Sequence, residues 1–74
     1  MNTERLFNVV MMELTTDKMK LEDELEMAIN SKDSIDQKSA KIQQILARLS
    51  NLENSIAKFS NLINNNNNNN QKED

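Results

Sequence analysis

The chain of 74 residues has no glycine, proline, cysteine, histidine, tryptophan or tyrosine, and only two phenylalanines. Each absence excludes something. Without cysteine there is no disulfide, and without cysteine or histidine there is no zinc site of the usual kind. Small folds lean on such staples, or on partners, because a short chain buries too little surface to stabilise itself. Here only partners remain. Without glycine there is no phosphate-cradling loop, and without histidine or cysteine the common nucleophile–base pairs cannot be built. The expectation is a non-enzyme with no cofactor, no metal and no small-molecule substrate. Nor is there a long apolar run. The longest, Val9-Val10-Met11-Met12, is four residues, whereas a membrane span needs about 20. The start MNTER and the end QKED carry no signal for secretion or lipidation. The expected location is cytoplasmic, with the nucleus as the alternative.

Charge is spread rather than gathered. Nine Lys and Arg face twelve Asp and Glu, a net of −3. No basic cluster of the kind that meets phosphates occurs, so nucleic acid is not an expected partner. The densest acidic group is Glu22-Asp23-Glu24 with Glu26. Calcium and magnesium need oxygens converging from a bent loop. On a straight helix these carboxylates fan outward, as a solvated face.

What is present is periodicity. With every multiple of seven taken as position a, the row is Phe7, Leu14, Leu21, Ala28, Ile35, Ile42, Leu49, Ile56 and Ile63, all apolar. Position d is polar through the middle, at Asp17, Glu24, Ser31 and Lys38, then apolar at Ile45, Leu52 and Phe59. The C-terminal third therefore carries a full a/d heptad seam, the coiled-coil signature. The N-terminal part keeps a and takes its second row from Met11 and Leu25, giving a shifted stripe over 7–28 that still forms one helical face. The residues expected to bind partner helices are Phe7, Leu14, Leu21, Leu25, Ile35, Ile42, Ile45, Leu49, Leu52, Ile56, Phe59 and Ile63. Leu46 and Leu62 widen the C-terminal stripe, which suits a bundle of three or more helices. Met11, Met12, Met19 and Met27 fill seam space or supply an adaptable surface. After Ile63 come seven consecutive asparagines and QKED, with nothing apolar to bury; 64–74 reads as a disordered Asn-rich tail.

The architecture expected is all-α: a single long amphipathic coiled-coil helix over 1–63, oligomeric. The register favours it, since a passes through Ala28, Ile35 and Ile42 without a slip and no Gly or Pro marks a turn. The alternative is an antiparallel helical hairpin with its turn near 30–34, Asn-Ser-Lys-Asp-Ser. Ser34 followed by Gln37 matches a capping box. Residues 1–29 hold three Lys/Arg against seven Asp/Glu, a net of −4, and residues 30–63 hold five against three, a net of +2. Folded back, Glu22 and Glu26 would lie near Lys41 and Lys38.

Asp36-Gln37 and the stretch AKIQQILARLSNLENSIAKF, above all Arg48, Leu52-Glu53 and Ile56-Ala57, resemble the central coiled coil of heat shock factor-binding proteins. The resemblance covers roughly a third of the chain, and the N-terminal half departs from that family's pattern. It implies a short acidic oligomer that binds another protein's coiled coil. The residues themselves imply a small non-catalytic assembly subunit or adaptor of a multiprotein complex, for example in vesicle trafficking or cytoskeletal regulation. The expected partners are protein helices, in hetero- or homo-oligomeric form.

Overall fold

The computed structural model describes residues 3–73, with side chains described for 3–65. It is all-helical. Helix α1 spans Thr3–Ile29 and helix α2 spans Ile35–Glu73. The two lie side by side and antiparallel: Phe7 meets Phe59, Lys18 meets Glu53, and Ile29 meets Lys38. The continuous helix expected through 30–34 is therefore corrected to the hairpin. The a register was a poor guide here because it records which residues are apolar. It does not record whether the backbone between them stays helical.

The turn is held by short polar side chains. The last bonds of α1 run from the Asn30 amide to the Glu26 carbonyl (3.1 Å) and from the Ser31 amide to the Ala28 carbonyl (3.3 Å). The second spans three residues, the tightened closure common at helix ends. Ser31 Oγ accepts the Asp33 amide and donates to Asp33 Oδ2, both at 3.4 Å. Ser34 then caps α2. Its Oγ accepts the Gln37 amide at 3.3 Å, and its carbonyl accepts the Lys38 amide at 2.9 Å. Asp36 sits in the first turn, where the helix dipole favours an anion. Among the described residues none has positive φ, so the reversal needs no glycine.

Lys38 closes the junction from the other side. α1 has no basic residue in its last turn, so its terminal carbonyls have no cation of their own. Lys38 Nζ donates to the Ile29 carbonyl at 3.0 Å, a lysine of α2 serving the C-terminus of α1. Ser34→Ala removes the cap and is expected to lower stability by about 1 kcal/mol. Urea unfolding would read this as a lower midpoint with an unchanged slope.

α1 is about 40 Å long at 1.5 Å per residue. α2 outruns it and sets the 60 Å long axis of a body only 17 by 14 Å across. Helical backbone continues past Ile63 to Glu73. The stretch expected as a disordered tail, 64–74, has side chains that beyond 65 lie outside the described residues.

Candidate docking surface

A helix pair has one line of contact, and the burial pattern follows it. The core consists of Ala28, Ile45 and Leu49, at 3%, 4% and 7% exposure, with Leu21, Leu25 and Ile42 packed against them. Ala28 is the most buried of the three. Being small, it suits the narrow end of the hairpin, where the chain has just turned. At the far end the Phe7 and Phe59 rings meet edge to face, with centroids 5.5 Å apart and planes at 89°, a favoured aromatic geometry.

The shifted stripe of α1 and the a/d seam of α2 thus face each other within one chain. Phe7, Leu14, Leu21 and Leu25 of α1 are half-buried, as are Ile42, Leu52, Ile56, Phe59 and Ile63 of α2. Ile45 and Leu49 are buried. Ile35 stands apart at 84% exposure: α1 has already ended at Ile29, so nothing lies opposite it. Leu52 and Ile56, which carry the family resemblance, lean on this chain's own α1. Glu53, beside them, reaches Lys18 at 3.6 Å.

That ion pair differs from the ones expected on folding back, Glu22 and Glu26 with Lys41 and Lys38. Lys18 occupies the seam between Leu14 and Leu21 and leans out to Glu53, which keeps its charge wet while its stem covers the seam. Its side chain is 35% exposed and that of Glu53 is 55% exposed. Glu53→Gln is accordingly expected to change stability by less than about 1 kcal/mol, and high salt should narrow the difference further, as thermal melts would show.

The seam divides the surface into two flanks. On one, Glu24, Met27, Lys41 and Arg48 surround a groove floored by Ala28 and Ile45. Residues in seven-residue steps share a flank, so Val10, Asp17 and Glu24 line up on α1, and Lys41, Arg48 and Leu62 on α2. On the other flank lies the Lys18–Glu53 bridge, with Met12 and Thr15 beside Met11 in a shallow depression. Leu46, seven residues before Glu53, joins that side. Exposed apolar side chains occur on both flanks, among them Leu6, Met12, Met27, Leu46 and Leu62.

Sequence reasoning did not single out Ala28, Lys18 or Lys38 for these roles. The first is an ordinary a-row alanine until the turn places it. The two lysines act across the hairpin, so no spacing within one helix reveals them.

Among the described residues, no group of three or more His, Cys, Asp or Glu is placed to hold a metal ion. None of the helices is long and apolar enough to cross a membrane. No protein-family model, curated protein or solved structure matches the chain. Fold and surface define an all-helical hairpin with a seam left open along both sides.

Proposed function

We propose that the protein is a non-catalytic assembly subunit, whose hairpin packs against helices of partner proteins and completes a helical bundle. One observation carries this reading. Among the described apolar residues that face the other helix, only Ala28, Ile45 and Leu49 are buried; the rest of the seam is half-open. Two helices cover a seam along one line, and a third and fourth cover its sides. Three buried side chains supply little of the burial that offsets the chain's conformational entropy. Docked helices would close over Leu14, Leu21, Leu52 and Ile56 and take in Leu46 and Leu62.

A second reading draws on the half-open Leu52 and Ile56. It is a homo-oligomeric regulator that binds another protein's coiled coil, in the manner of heat shock factor-binding proteins. Partner helices are the shared element; vesicle trafficking and cytoskeletal control are settings that use such subunits.

The test uses the exposed pair Leu46 and Leu62, which can be changed without touching the buried core. The tagged full chain is expected to be recovered from its native cells in a complex of fixed stoichiometry, and Leu46→Glu with Leu62→Glu to be lost from it. A lone monomer that melts cooperatively and joins no complex, with itself or another protein, would contradict the proposal.

A further inference from the structure

The first flank carries a pattern that one hairpin does not use. Glu24, Lys41 and Arg48 line a single groove, yet among the described residues none of them makes an ion pair. On this flank α1 carries Glu13, Asp17 and Glu24 with one base, Lys20, among them, and α2 carries Lys41 and Arg48. A surface net acidic along one edge and basic along the other is complementary to itself when one copy is turned over.

We propose that this flank docks a second copy of the chain, with a two-fold axis parallel to the helices. α1 of each hairpin then lies over α2 of the other, and both turns sit at the same end of a four-helix bundle. The inference rests on the reading of the protein as an assembly subunit and names its partner.

The heights agree. Phe7 is level with Phe59, Lys18 with Glu53 and Ile29 with Lys38. By interpolation Glu24 falls between Lys41 and Arg48, Asp17 falls level with Glu53, about 8 Å beyond Arg48, and Leu6 falls near Leu62. An axis parallel to the helices keeps every height and exchanges the edges. Glu24 then meets Lys41 and Arg48 of the second copy, and Leu6 meets its Leu62. The other face-to-face two-fold, with turns at opposite ends, lays α1 on α1. That sets a helix of net −4 against itself, and like charges across an interface select against a pairing. The second flank does not offer the same fit. Glu22, Glu26 and Glu53 make it acid-rich, and Lys18 is already engaged with Glu53.

The area suffices. A face about 40 Å long and 17 Å wide presents ~700 Å², close to the roughly 800 Å² per partner of a stable interface. Burial of Leu6, Val10, Leu62 and the half-open seam drives the association, and the charges set its orientation.

The test is sedimentation velocity on the full chain across the micromolar range, with circular dichroism to show that the hairpin persists. A dimer is expected. In an isologous interface each substitution acts twice. Arg48→Glu should therefore raise the dissociation constant by at least about tenfold, and Glu24→Arg added to Arg48→Glu should restore dimerisation. Because the chain has no cysteine, a spin label at Lys32→Cys reports the orientation. Turns at one end give an interchain distance of roughly 10–25 Å, and turns at opposite ends roughly 40 Å or more. A dimer that ignores the charge swap, or has its turns at opposite ends, overturns the proposal. A chain that stays monomeric but forms a stable complex with another protein also overturns it, and leaves the assembly reading standing. A cooperatively folded monomer that binds nothing overturns both.

Discussion

Leu49→Asp is expected to abolish the folded hairpin. Leu49 is 7% exposed and lies in the core with Ala28 and Ile45. The aspartate would have to be buried without a cation beside it, or the helices would have to part to let water in. A buried, unpaired charge costs several kcal/mol, and the group protonates or the fold gives way. Small domains have only about 5–15 kcal/mol in total, and a hairpin with three buried side chains sits at or below the low end. Far-UV circular dichroism should show most of the helical signal lost and no cooperative melt. A comparable charge on an outer position, such as Asn54→Asp, should leave the signal nearly intact. Retention of a cooperative melt by Leu49→Asp would mean that α1 does not cover this residue.

Replacing Asn30-Ser31-Lys32-Asp33-Ser34 by five alanines is expected to convert the hairpin into a rod. The reasoning starts from the sequence on either side. Ala28, Ile35 and Ile42 keep one seven-residue register, so helical backbone through the turn would carry the seam straight on. What stops it is local: the Ser31–Asp33 bonds and the Ser34 cap. Alanine removes both. The Asn, Ser and Asp exchanges also each favour helix by about 0.5 kcal/mol, and loss of the cap removes about 1 kcal/mol from the broken form. A lone rod would expose the whole seam. Two antiparallel rods restore the same contacts between chains, as in domain swapping. The expected product is an elongated dimer in which Glu13 and Lys58 of one chain stand ~68 Å apart. A compact monomer would show that the turn is dictated by the packing of the helices instead of its own five residues.

Much of this fold could be read in the residues, and what could not has a physical cause. The two stripes were legible because apolar spacing reports directly which face of a helix is buried. That they meet within one chain was not, since a stripe does not say what covers it. The turn was half-legible. Ser34 and Gln37 gave the cap in advance, while the lack of Gly and Pro argued for a continuous helix. That argument fails here because the described backbone reverses without any positive φ. Ile35 shows the limit of counting by sevens: it keeps the register yet lies where no helix faces it. Lys38 shows another, because its bond to the Ile29 carbonyl exists only once the chain has folded back.

The surface was less legible than the fold. Leu46 and Leu62 stood out as excess apolar residues, but the two flanks emerge only when the helices are set side by side. Asp17 and Glu24 read as polar interruptions of the d row. In the hairpin they become one edge of a flank whose other edge is Lys41 and Arg48. The charge difference between the two halves of the chain was visible from the start. Its expression as one net acidic and one basic edge needed the register fixed by Phe7 and Phe59.

The central claim is that one chain folds back so that α1 covers the heptad seam of α2. It is tested most directly by spin labels at Glu13→Cys and Lys58→Cys in the full chain, diluted with unlabelled protein so that only distances within a chain remain. Packed helices lie 8–10 Å apart, and the labels add their own length. The hairpin predicts a distance of roughly 10–25 Å that survives dilution. A distance of ~68 Å, or a short one that vanishes on dilution, would contradict it.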